Sequence, residues 1–141
     1  MNNAQFNDLE GLRIAVEMER RGGEFYRRAA RLSNSPKAVS LLSELAAEEE
    51  EHRAEFQRLY DQALLRHSEE TEELYEGEAA AYLSAVAADV VFPGGLMDLG
   101  RQGGFESPTA ILISAMQSEK DSILFYTEMI AQAHDAQART A

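Results

Sequence analysis

Cysteine is absent from this chain of 141 residues. Its absence excludes disulfides, iron–sulfur ligation, a four-cysteine iron site and thiol catalysis by these residues. Only three prolines interrupt the chain, and glycine gathers in two places, at 22–23 and across 94–104. Positive charge is also scarce. Lysine and arginine number 13 against 25 acidic residues, for a net charge of −12, which argues against nucleic acid and anionic membrane as partners. There is no long hydrophobic run. The longest apolar stretch, Ala79 to Phe92, contains Ser84 and Asp89; it falls short of a membrane span and reads as a core helix. Acids stand among the apolar positions of residues 1–20, so no signal peptide is expected. The expected location is cytoplasmic.

What is present is helical periodicity. The length suits one domain, residues 1–141, with a real core. Asn7 and Glu10 have the spacing of a capping box, and the pattern predicts a first helix over about 7–32. Its inward stripe is Leu12, Ala15, Val16, Glu19, Gly22, Gly23, Tyr26, Ala29 and Ala30. Ser35-Pro36 starts a second helix, over about 36–65, with serine as cap and proline at the first helical position. Its stripe is Leu42, Leu45, Glu49, His52, Phe56, Leu59 and Ala63. An acidic, less regular stretch leads to an Ala-rich helix over about 78–91, which Pro93-Gly94-Gly95 ends. Ser107-Pro108 repeats the serine-proline start and opens a last helix over about 108–138. There the expected stripe is Leu112, Ala115, Met116, Glu119, Ile123, Tyr126, Met129, Ile130 and Ala133. No strand alternation survives, so the fold class is all-α, a bundle of long amphipathic helices.

Four polar side chains fall on these apolar stripes. Glu19 has Gly22 and Gly23 at the positions where a helical cation partner would sit. Its neighbour Glu17, on a face with Arg13, Arg20 and Arg21, reads as the solvated acid. Glu49 is the one member of the run Glu48–Glu51 on the stripe, although Arg53 at i+4 offers it a surface pair. His52 follows at i+3, which places two donor groups over one point beside the helix. Glu119 also lacks a local cation, with Ser122 and Ile123 at i+3 and i+4. Tyr26 and Tyr126 stand two turns beyond Glu19 and Glu119. Each follows a phenylalanine at the same offset, and a buried hydroxyl needs a partner. Buried carboxylates are costly unless something positive meets them, and a metal ion is the economical partner. Mid-helix Gly22 and Gly23 each cost about 1 kcal/mol against alanine, so either a close helix contact or a local bulge should compensate. His67 reads as surface, and His134 does not count as a ligand.

The set Glu19-x6-Tyr26, Glu49-x2-His52 and Glu119-x6-Tyr126 resembles the ferritin-like superfamily, and within it the rubrerythrin-like branch, over most of the chain. The resemblance implies a ferritin-like antiparallel bundle with a long crossover that carries the extra Ala-rich helix. It also implies a carboxylate-bridged di-iron site. In that site Glu19 and Glu119 would be terminal or shifting ligands, Glu49 would bridge, His52 would bind one iron, and Tyr26 and Tyr126 would bond to the ligands. A fourth element, a second Glu-x-x-His, would fall near 149 on the same spacing, beyond Ala141. Three completions stay open: a longer natural chain, another subunit, or a half-site. Ser122 stands where rubrerythrins carry a further glutamate, and no rubredoxin-like module follows.

With iron, the resemblance implies oxidation of Fe(II) by oxygen or peroxide, in peroxide removal or iron handling. An external electron donor would serve any redox cycle. Manganese and zinc also suit carboxylates with histidine. A bundle short of one helix would expose an apolar groove, so a homodimer is expected. Two other readings remain: a non-catalytic metal-binding or encapsulated cargo protein, and a metal-free helical interaction module in which arginines meet the inward glutamates.

Overall fold

Asn7 caps the first helix. Its side-chain oxygen accepts the Glu10 backbone N–H at 2.9 Å, and Asp8 and Glu10 place acidic groups at the positive end of the helix. The computed structural model describes residues 7–66, 77–85 and 108–134. Among them are four helices: α1 (Asp8–Leu32), α2 (Pro36–Arg66), α3 (Gly77–Ala85) and α4 (Pro108–Gln132). The all-α expectation holds. The bounds of α1 and α2 lie within a residue of those predicted. Pro36 opens α2, and Ser35 Oγ accepts the Ala38 N–H at 3.4 Å. The expected ends of the third and fourth helices, 86–91 and 135–138, lie outside the described residues, as does His67. Residues 133 and 134 have left the helix, so α4 ends before the position that periodicity alone assigns.

Three apolar clusters fix the directions of the helices. Leu12 of α1 packs with Leu59 and Ala63 of α2. At the other end, Phe25, Tyr26 and Ala29 pack with Leu42 and Ala46. The start of α1 therefore meets the end of α2, and the two form an antiparallel hairpin. Ile111 and Ala115, early in α4, join the cluster at the end of α1. Phe125 and Met129, late in α4, join Ile14 and Met18 together with Ala80 and Leu83 of α3. Helix α4 thus runs antiparallel to α1 and parallel to α2. Two parallel helices require a connection that travels the length of the bundle, and α3 belongs to that return. A polar clamp agrees with this direction: both carboxylate oxygens of buried Asp8 accept the backbone N–H of His134, at 3.0 and 3.2 Å.

The orientation of α4 corrects its expected stripe. Ala115, Met129 and Ala133 are buried, but Leu112, Met116, Ile123 and Ile130 are exposed. Ile111 and Phe125 are buried instead. Apolar residues cover more than half the circumference of this helix, so periodicity does not fix its phase. The arc through Ile111, Ala115, Phe125 and Met129 packs against α1 and α3, and a second apolar arc faces outward. No described helix is long and apolar enough to cross a membrane.

Candidate metal centre

The middle of α1 and the middle of α2 face each other between two of the apolar clusters. Glu19 and Glu49 occupy that level, 7% and 8% exposed, the most buried of the described glutamates. Glu19 Oε2 lies 3.6 Å from Nδ1 of His52, whose imidazole keeps 57% of its surface open. One donor atom from each of Glu19, Glu49 and His52 lies within 4.8 Å of the others. Donors bound to a single ion at about 2.1 Å stand roughly 3–3.5 Å apart, so the Glu19–His52 pair is close to ligand spacing without any helix movement.

Surface pairing explains why these acids are left for the interior. Arg20 and Arg21 bond to Glu17, at 2.5 and 3.1 Å, and hold its carboxyl down to about 2. Arg20 also reaches Glu24. Arg53 bonds to Glu50 at 2.8 Å rather than to Glu49. Burial pushes the Glu49 carboxyl up to about 11. A hydrogen bond with Glu19 and the negative charges of Glu19 and Glu119 add to the shift. The raised carboxyl of Glu49 favours its protonated form beside the Glu19 carboxyl. A divalent cation would do the same electrostatic work.

Glu119 comes in from α4. Its charge is felt at Glu49 and Tyr26, yet its own side chain lies at the exposed edge. Two hydrogen bonds tie α4 to α1 across the site. Tyr126 donates to Glu19 Oε1 at 2.9 Å, and Tyr26 donates to Glu119 Oε1 at 2.9 Å. Each tyrosine thus crosses to the glutamate of the other helix, not its own. Glu19 is left with one oxygen held by Tyr126 and the other turned toward His52. Burial, reinforced by the nearby carboxylates, pushes both phenol groups above their ordinary value, so both remain proton donors.

Aromatic packing fixes the tyrosines. Phe56 of α2 stacks on Tyr126, with ring centroids 5.3 Å apart. Phe25 and Phe125 meet Tyr26 and Tyr126 edge to face, at 5.5 and 5.8 Å. Both phenylalanines are fully buried. Their place in the matched Phe-Tyr pairs marked them in the sequence, but they fell off the expected stripes. Of the sequence-derived residues, Glu19, Glu49 and His52 form one cluster, Glu119 flanks it, and Tyr26 and Tyr126 bond to its edges. His134 is exposed at the end of α4 and takes no part. The site is lopsided: Glu19 and Glu49 form a buried wall, and His52 and Glu119 form an open rim. No family model, curated protein or solved structure matches this chain.

Proposed function

We propose that this chain binds divalent metal between α1, α2 and α4, with Glu19, Glu49 and His52 as ligands and Glu119 at the rim. The reading is a rubrerythrin-like carboxylate-bridged centre in a cytoplasmic protein, with two irons where a further Glu-x-x-His is supplied. One observation carries it. Two buried carboxylates adjoin an imidazole, and the charges acting on Glu49 are negative. Arg13, Arg20, Arg21, Arg53 and Arg58 pair with Glu10, Glu17, Glu24, Glu50 and Glu55 on the surface. That distribution weighs against the metal-free module, which needs arginines at the inward glutamates.

The residues fit the group. Carboxylate with imidazole is a donor set for iron, manganese or zinc. Bound iron would supply oxidation of Fe(II) by oxygen or peroxide, with electrons returned by an external donor. Glu49 must give up its proton to become a ligand. Tyr126 holds Glu19 by Oε1 and so presents Oε2 toward His52 Nδ1. Tyr26 steadies Glu119, which keeps freedom to shift because its side chain is exposed. Phe56, stacked on Tyr126, helps to keep water from the buried wall.

We also propose a homodimer through the outer arc of α4. Leu112, Ile113, Met116, Ile123, Leu124 and Ile130 are 42–71% exposed there. Together they leave roughly 600 Å² uncovered, at the top of the range for a monomer's largest apolar patch. A standard interface buries about 800 Å² per partner, so this arc with its polar margin suffices. Glu119 lies on its edge, so a second copy would cover the open rim of the site.

Metal analysis of the purified protein tests the main reading. Iron or zinc should copurify or load on addition, and Glu49→Ala combined with His52→Ala should abolish it. Unchanged metal content in that double variant would place the site elsewhere. Anaerobic loading with Fe(II) followed by an oxygen electrode separates the redox protein, which consumes oxygen, from an inert metal carrier.

A further inference from the structure

Helix α1 carries two adjacent glycines in its middle, where each weakens the helix relative to alanine. The surroundings of the two differ. Gly22 lies one turn beyond Glu19 on the same face. The Glu49 carboxylate rests on its bare backbone: a methyl group added to Gly22 would stand 2.7 Å from Glu49 Oε2 and 3.1 Å from its Cδ. Ordinary contact between such atoms is about 3.5–4.0 Å, so the carboxylate would have to move. At Gly23 the same methyl would meet Arg27 Nη1 at 3.1 Å. That atom is the tip of a long, exposed side chain that can swing into solvent.

We propose that Gly22 is a positioning residue for the metal centre. Its missing side chain lets α2 lay Glu49 flat against α1, where the carboxylate reaches Glu19. The helix gives up stability at this residue so that two ligands from different helices can converge. Gly23 shares the helix penalty but not the role. This inference rests on the metal-binding reading above.

The test uses the full chain with Gly22→Ala, Gly23→Ala, Glu49→Ala and the double variant Gly22→Ala/Glu49→Ala. Zinc affinity is measured by calorimetry, and melting is followed in EDTA. Gly23→Ala should bind zinc like the wild type and melt a few degrees higher. Gly22→Ala should lose about 10- to 100-fold in zinc affinity, the range for disturbing the support of a ligand. In the Glu49→Ala background the same alanine should leave the residual zinc affinity unchanged and raise the melting temperature, because the carboxylate it displaces is gone. This second comparison decides the matter even if Gly22→Ala alone fails to fold. Wild-type zinc affinity in Gly22→Ala would overturn the inference, as would the same loss with Glu49 already removed, or a double variant that melts below Glu49→Ala. If the wild type takes no zinc, iron or manganese, the metal-binding reading itself falls.

Discussion

Replacing Glu49 with glutamine should stabilise the metal-free protein and ruin the metal-loaded one. In the folded chain Glu49 is protonated at neutral pH, because burial and the neighbouring carboxylates push it up to about 11. In the unfolded chain it titrates near its ordinary value of 4.5. Folding at pH 7 therefore takes up a proton against a gap of 2.5 pH units, which costs at most about 3 kcal/mol. The sign follows from the direction of the shift. A folded-state pKa above the unfolded one gives stability that is fully present below about pH 4.5. It is lost as pH rises toward the folded value. Glutamine has nearly the same shape, and its amide can donate to Glu19 as the protonated carboxyl does. It carries no protonation cost.

Solvent reaches the site over the exposed His52 and Glu119, which trims the effect. A gain of about 1–3 kcal/mol at pH 7 remains, and about 3–4 °C of melting temperature per kcal/mol is expected for a chain of this size. Thermal unfolding followed by far-UV circular dichroism, in EDTA across pH 4.5 to 8, measures it. The advantage of the variant should grow with pH and vanish near 4.5. Zinc should reverse the order. Free metal at 1,000 times its dissociation constant adds about 4 kcal/mol to a protein that binds it, and the variant lacks a ligand. A variant less stable than wild type at pH 7 without metal would refute the argument. So would an advantage of equal size at pH 4.5 and pH 8.

The two tyrosines give an internal comparison. Tyr126→Phe strips a hydrogen bond from the buried Glu19 and should cost about 2 kcal/mol in urea unfolding. Tyr26→Phe frees an oxygen of the exposed Glu119, which water can satisfy, and should cost less than about 1 kcal/mol. Equal losses would mean that burial does not govern these bonds. For the outer arc of α4, light scattering should find a dimer in the wild type, and Met116→Lys with Ile123→Lys should convert it to monomer while helix content is retained. A wild type that is monodisperse as a monomer would remove the homodimer.

Much of α1 and α2 was legible because each buries one face and solvates the other. Along α1 the charged residues Arg13, Glu17, Arg20 and Glu24 mark the outer side so clearly that Glu19 stands out as the exception. The same contrast isolates Glu49 within a run of four glutamates: Glu50 takes Arg53 on the surface, and the neighbour on the stripe turns inward. His52 was legible as a donor but not as an exposed one. Sequence spacing places a residue on a face, whereas the degree of cover at the edge of that face depends on which helix comes alongside. Gly22 showed a cost without a cause. The cause is a carboxylate from α2, a contact between residues 27 positions apart that no local pattern encodes.

Helix α4 is where pattern reading meets its physical limit. Periodicity identifies a phase only if apolar residues are confined to one arc, and here they cover two. Ile111, Ala115, Phe125 and Met129 face the core, and Leu112, Met116, Ile123 and Ile130 face out. Either arc could have been buried on hydrophobic grounds alone. The polar residues break the tie. Tyr126 must reach Glu19 and Glu119 must accept from Tyr26, and both bonds form only when the boundary between the two arcs lies against α1. With that boundary inward, Glu119 enters the site from its edge rather than its centre. The matched glutamates are therefore unequal. Glu19 is locked into the wall by burial and by Tyr126, while Glu119, bonded to Tyr26, sits exposed at an open rim. Two acids at equivalent sequence positions thus have different freedom to move, and the difference originates in the excess of apolar residues on α4.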